Sequence, residues 1–449
     1  MKDNSKLLLY NANLIEVISG TVKKASIFIS HGYIDEVFYD KEPLNGEVPP
    51  DVKRINGEGK WIIPGLIDMH VHIKEGFAPF FTASGVTAVR NTGGNVLELA
   101  DLIKASTDAP TPRVYSADRV IDGPPGLWGE TSPWNVNIED SQTARQEVNR
   151  QIEAGADFVK VYGWLSKEMM ESVCQEARSH GKEVSCDLIY SFHINAVEAG
   201  RIGIKWNEHA SGVLQAMYPQ WSMGADQSTW DAINWLEPDF EKINTVCRQL
   251  IDLDVKICPT MTLFDGMDRG AEYWKPLNEV TSRILESKAL TGQWQTLSQY
   301  EDALKSLGVQ HQINKAIAKA YFDLGGTVVA GTDTPAGIWT FPGMALHREL
   351  ELFVEAGFSE IDAIRSATCT AAEAINQSDL GVIRAGARAD MVILNQNPLA
   401  DIRHTKDIYS VIKGGKIFTQ SEILDKVPDE ESASKRAEEF IKDFNLLLQ

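Results

Sequence analysis

Between residues 64 and 380, short apolar runs rich in β-branched residues alternate with stretches of helical periodicity, and this alternation constrains the fold more than any other feature. The runs include GLIDMHVHI (65–73), VTAVRNTG (86–93), RVYSAD (113–118), FVKVYG (158–163), KEVSCDL (182–188), IGIKWNEHA (202–210), VKICPTMT (255–262) and GTVVAGTD (326–333). Amphipathic helices are predicted among them, as over Lys167–His180 and His311–Leu324. Repeated strand-then-helix units imply a parallel sheet, because each crossover must return the chain to the same end. Eight such strands predict an α/β fold closed as a (β/α)8 TIM-like barrel.

The two ends of the chain read differently. LLLYNANLIEV (7–17), ASIFISHGYIDEVFYD (25–40) and GKWIIPG (59–65) look like strands separated by turns, as do GVIRAGARADMVILN (381–395) and IYSVIKGGKIFT (408–419). These segments predict a small β-sandwich built from both ends: 1–63 as its first part, 64–380 as the barrel, 381–420 as its second part. The remainder, 421–449, is charge-rich and ends in EEFIKDFNLLLQ, a short amphipathic helix expected to pack on a neighbour or partner. At 449 residues the chain is too long for a single core, in keeping with two units.

The charge balance excludes some partners. Lys and Arg number 43 against 63 Asp and Glu, a net charge of −20, which repels nucleic-acid phosphates and anionic lipid. The five cysteines are scattered with no CxxC pair, which argues against a disulfide framework and for a reducing compartment. No leader pattern is read in the N-terminal stretch and no apolar run is long enough to span a bilayer, so a cytoplasmic protein is expected.

His70 and His72 carry the first chemical signal. At i and i+2 in a strand-like run both rings point to one face, and two imidazoles so spaced can chelate one divalent ion. Zinc is the default ion for such ligands, with Mn, Fe or Ni as alternatives.

A series of motifs surrounds this pair: PGLIDMHVH, GVTAVRNTGG, DFVKVYGWLS, EHA, AGTDTPAG and HRELELFVEAG, in that order. Together they resemble the amidohydrolase superfamily, and GVIRAGARADMVILNQNPLADI resembles its closing sandwich signature. The branch most resembled holds imidazolonepropionase-like and Xaa-Pro dipeptidase-like proteins. The likeness covers nearly all of residues 6–420. It implies that His70 and His72 bind a first metal and that Lys160, at the strand-four position, is a carboxylated lysine bridging two metals. It implies further that His209 is the strand-six ligand. Asp333, ending strand eight, would be both a ligand and the general base for the bridging water. The plainer reading of Lys160 is a buried lysine paired to an acid, and of Asp333 a turn cap.

One expected ligand is missing. The resembled series has a histidine ending strand five, and here that position falls on Asp187 or, counted from the other side, on Cys186. They point opposite ways in an alternating strand, so only one can face the site. Asp187 would be a hard oxygen ligand and Cys186 a soft one. His193 is a further candidate beyond the strand, and the remaining alternative is that nothing replaces the histidine. Tyr162, two residues from Lys160, His347 and Arg90 are candidate substrate contacts, with packing roles as the alternative. Tryptophans 128, 134, 164, 221, 230, 235 and 339 fall in loops after strands, which suits an apolar or aromatic small-molecule substrate.

The expected activity is hydrolysis of an amide or cyclic-amide C–N bond by metal-activated water, with one or two ions per chain. A second reading is a one-ion or altered site that deaminates, decarboxylates or isomerises. A third is a metal-free ligand-binding barrel. A homo-oligomer is expected from the resemblance.

Overall fold

In a computed structural model of the protein, residues 6–41 and 52–447 are described. Residues 42–51 of the expected sandwich, the first five residues of the stretch read for a leader, and the last two residues of the tail lie outside the described residues.

Strands β1 (Leu7–Glu16), β2 (Thr21–Ser30), β3 (Tyr33–Tyr39), β4 (Lys53–Asn56) and β5 (Trp61–Pro64) come from the N-terminal part. The run read as one strand over 25–40 is a hairpin, because His31 and Gly32 both take positive φ, at 51° and 81°. Strands β6 (Leu66–Val71), β7 (Val86–Asn91), β8 (Arg113–Ser116), β9 (Val120–Asp122), β10 (Asn135–Asn137), β11 (Val159–Tyr162), β12 (Val184–Asp187), β13 (Trp206–Glu208) and β14 (Lys256–Cys258) follow. Strands β15 (Met391–Leu394), β16 (Ile408–Lys413) and β17 (Lys416–Phe418) close the series.

The strands from the two ends form one continuous eight-stranded sheet, ordered β17-β16-β15-β5-β1-β2-β3 with β4 beside β1. The first half of β1 pairs with β4 and its second half with β5. The change of partner falls next to Asn11, whose φ of 61° breaks the strand's regularity. The junction of the two ends is the antiparallel pairing of β5 with β15, Trp61 opposite Leu394 and Pro64 opposite Met391. Alternation sends Ile62 and Ile393 into the small sheet's own cluster, and Ile63 and Val392 into the main core with Phe81 and Phe353.

All pairings among β6 to β14 are parallel, in a three-stranded sheet β6-β7-β8 and a six-stranded sheet β10-β9-β11-β12-β13-β14. The expected eighth run, 326–333, is not a continuous strand. It joins β14 to β6 by single bridges, Ile257 to Val328 and Val71 to Thr334. Beyond β8, the Asp157 amide donates to Ser116 O at 2.8 Å. Val159, Val161 and Cys186 pack outward with Met170 and Val173 of the helix Lys167–Ser179. Lys160, Tyr162, Ser185 and Asp187, at the intervening positions, therefore face inward.

The C-terminal helix, Glu430–Leu447, is longer than the sequence implied and packs back on its own chain. Phe440 meets Trp134 at 6.3 Å between ring centres, and Arg436 pairs with Glu75 at 2.9 Å. Among the described residues, no helix is long and apolar enough to cross a membrane.

Candidate metal centre

The C-terminal ends of the parallel strands bring together residues far apart in sequence. His70 and His72 leave β6 on one face, and their Nε2 atoms lie 3.1 and 3.0 Å from the same oxygen, Oδ1 of Asp333. Each of the three offers a ligand atom within 4.8 Å of the others. The backbone sets this register. The Asp333 amide donates to His70 O at 2.8 Å and the His72 amide to Thr334 O at 2.8 Å. Asp68, buried two residues before His70 on the same strand, receives Thr332 N and Thr332 Oγ1 and so fastens the two segments together.

A second group stands beside the first. Lys160 is wholly buried and its Nζ has no hydrogen-bond partner. His209 lies against Asp187, Nε2 to Oδ2 at 3.3 Å, and its ring centre is 4.6 Å from that of His70. A regular strand would turn His209 away from the side taken by Glu208. Instead its φ of 64° bends the backbone out of the strand and aims the ring inward. Asp333, with φ of 62°, is aimed in the same way. His209 Nδ1 is 2.6 Å from Thr260 Oγ1, and Asn314 Nδ2 donates to His209 O at 2.9 Å.

The electrostatics follow from these contacts. Burial works to raise the Asp333 carboxyl, but the two histidines outweigh it and hold the group well below the usual carboxylate range. Burial also opposes ionisation of Asp187, and His209 again reverses the balance. Burial presses His70 toward the neutral imidazole. For His209 burial has the same sense, yet the neighbouring Asp187 raises it above the ordinary value. Tyr162 is kept protonated by burial, reinforced by Asp187 and Asp333.

This donor set fits a divalent cation. Two imidazoles and a carboxylate converge from one side, and the buried, unpartnered Lys160 amine faces the same space.

The strand-five alternatives separate cleanly. Asp187 faces His209, whereas Cys186 faces the outer helices, its Sγ 3.8 Å from Asn207 Nδ2. His193, beyond the strand, sits exposed in a bend against Phe192, ahead of the helix Ala196–Ile202. Tyr162 is inside the centre, with the Trp128 ring 6.2 Å away.

Two candidate substrate contacts are placed elsewhere, and their reading is corrected. Arg90 is buried beneath the centre, 2.8 Å from Glu208 Oε1 and between the rings of Phe158 and Trp206, so no substrate reaches it. His347 is also fully buried, with Nδ1 at Thr405 Oγ1 and Nε2 at Ser84 O, both 2.9 Å away; its hydrogen-bonding capacity is spent on packing.

Of the tryptophans, 128 and 164 border the centre through Tyr162 and Tyr190, while 221, 230 and 235 form a cluster of their own. Glu208, with Oε2 2.7 Å from His70 Nδ1, is a site residue that the sequence reading did not single out. Its one visible signal was its place directly before His209.

Comparison with known proteins bears on the family and the fold. Ochratoxinase of Aspergillus niger is 25% identical over 331 residues, 69% of this chain, and the matched part spans about half of that relative, 55% of its length. A putative prolidase from Bifidobacterium longum superposes with a TM-score of 0.68 at 22% identity, covering 94% of this chain and 98% of that one. An Xaa-Pro dipeptidase with bound methionine superposes at 0.67 and 20% identity, covering 92% and 99%. The two solved structures share the fold and fall in the branch that the motif series resembles. A profile of the Amidohydrolase family matches residues 61–418, most of the chain, and the protein belongs to that family.

Proposed function

We propose that the protein is a metal-dependent hydrolase of an amide or cyclic-amide C–N bond, and that the two parallel sheets with segment 326–334 form one (β/α)8 barrel around its centre. The observation that carries this reading is the meeting of His70 Nε2 and His72 Nε2 at Asp333 Oδ1. A divalent ion held there, zinc by the nature of the ligands, would supply an activated water and polarise the substrate carbonyl. Asp333 accepts the proton of the attacking water and returns it to the leaving nitrogen. Lys160 would enter as its carbamate, formed when the neutral amine adds carbon dioxide and releases a proton, which would give the centre an anionic oxygen donor. Asp187 and His209, 3.3 Å apart, would with that carbamate hold a second ion.

Tyr162, protonated and inside the centre, donates its hydroxyl to a substrate carbonyl or carboxylate. Trp128 is 60% exposed against Tyr162, and Phe192 is 59% exposed against Trp164. Two open rings at this rim suit a flat apolar group on the substrate. Relatives named ochratoxinase and prolidase support a hydrolytic reaction. The five free thiols accord with a reducing, cytoplasmic compartment.

Metal analysis of the purified protein, followed by assay on a panel of N-acyl amino acids with aromatic groups, tests the reading. One or two ions per chain with amide cleavage support it. No bound ion, and no cleavage restored by zinc or manganese, overturns it. Asp187 at the strand-five position favours a second reading, a one-ion centre with altered chemistry. One ion per chain that survives Asp187→Ala would support it.

A further inference from the structure

The two ring nitrogens of His70 meet carboxylates on opposite sides. Nε2 faces Asp333, and Nδ1 lies 2.7 Å from Oε2 of Glu208. Glu208 has no exposure at all, and its two oxygens are divided between tasks. Oε1 receives Arg90 Nη1 at 2.8 Å and Ser185 Oγ at 2.5 Å, which leaves Oε2 for the imidazole. Arg90 is fixed in turn. Its guanidinium lies 4.0 Å from the Phe158 ring centre and 4.2 Å from that of Trp206, and Nη1 also donates to Met69 O at 3.3 Å. A buried ion pair is rarely more stable than apolar packing of the same volume, so this one calls for a purpose beyond stability.

We propose that Glu208, held by Arg90 and Ser185, is a positioning residue that fixes the tautomer and aim of His70 and strengthens it as a metal donor. The proposal rests on the reading of His70 as a ligand. A ligand imidazole must present a lone pair on Nε2, so its proton belongs on Nδ1. A carboxylate facing Nδ1 accepts that proton; the other tautomer would set a nitrogen lone pair against the carboxylate oxygen. The hydrogen bond then pushes electron density toward Nε2 and fixes the ring plane. The other two imidazoles lack this support. His72 Nδ1 is 3.1 Å from the neutral Gly93 O, and His209 Nδ1 meets the Thr260 hydroxyl. The centre thus has one histidine backed by a full charge and two backed by neutral groups, and His70 is its anchor.

Two variants test this. Glu208→Gln keeps an acceptor of the same size and removes the charge. Arg90→Met combined with Glu208→Gln leaves no unpaired cation behind. Zinc affinity is read by competition with a chromophoric chelator, and ligand geometry by the visible spectrum of the cobalt-loaded protein. Both variants are expected to lose about 10–100-fold in zinc affinity and to show a changed cobalt spectrum. Wild-type protein labelled with 15N-histidine and loaded with zinc is expected to show a protected, downfield Nδ1 proton for His70; this measurement needs no variant to fold. Wild-type zinc affinity retained within about twofold by a folded variant, or no such proton in the wild type, overturns the proposal and leaves the metal-centre reading standing. A wild-type protein that takes up no zinc overturns both.

Discussion

Asp333 and His209 occupy left-handed backbone conformations that residues with a Cβ avoid, at a cost of about 1–2 kcal/mol each. Their neighbours enforce them. Asp68 holds Thr332 beside Asp333, and Asn314 holds the His209 carbonyl. Asparagine tolerates this conformation better than most residues, so Asp333→Asn should melt no lower than the wild type. With the base and the anionic donor gone, kcat/KM should fall by about 10²–10⁴-fold, a contrast that calorimetry and kinetics on one sample would display. Asp187→His puts an imidazole at the strand-five position, and a higher ion-to-protein ratio after dialysis against dilute zinc is the expected result.

Period-two spacing made the shared face of His70 and His72 readable, whereas Asp333 was reached only through the resemblance of the motif series. Spacing did not give depth along the strand. Arg90 is inward-facing yet lies a layer too deep, against Glu208, and His347 turns its whole ring into the contact with Ser84 and Thr405. Glu208 escaped notice for the same reason: a carboxylate beside a candidate ligand gives no sign of which ring it will reach.

At the scale of elements, the helix Met261–Arg269 starts on a buried carboxyl. Glu349 receives Met261 N at 2.9 Å and Thr262 N at 2.7 Å, together with the Thr262 hydroxyl. Burial, only partly offset by those donors, raises its pKa from 4.5 to about 7. The folded state therefore holds this proton more tightly than the unfolded chain does. The stabilisation is full below about pH 4.5 and is lost as pH rises through about 7, a change of about 3 kcal/mol. Glu349→Gln should flatten stability across that window, as measured by denaturant unfolding at several pH values.

The strands were legible where apolar runs rich in β-branched or aromatic residues stood between turn residues; β4, Lys53–Asn56, has only Ile55 of that kind and was missed. β9 and β10 were missed because they lie among the Asp, Gly, Pro and Asn residues of 118–137, which read as loop. The run 326–333 was read as a strand, but it and the adjoining Thr334 make only isolated bridges. Gly331 lies so close to β6 that a Cβ there would meet His70 N at 2.7 Å. The first turns of the helix Glu430–Leu447 lack an apolar stripe, and their start is set by Asp429, which receives Ser432 N at 2.8 Å.

At the scale of the molecule, the small sheet and the strand-and-helix unit share one core, since Ile63 and Val392 pack with Phe81 and Phe353. A chain ending at residue 380 would lack β15 to β17 and leave the β5 edge unpaired above that core. Such a fragment should sediment as aggregate rather than melt cooperatively; a soluble, cooperatively unfolding fragment would contradict the shared core. The pairing of β5 with β15 also sets a clock. During synthesis Pro64 emerges roughly 330 residues before Met391, which at about 5–20 residues per second is a wait of tens of seconds. For that interval an apolar strand edge has no partner from its own chain. The hazard in making this protein is therefore greatest on the ribosome, and slower translation lengthens it.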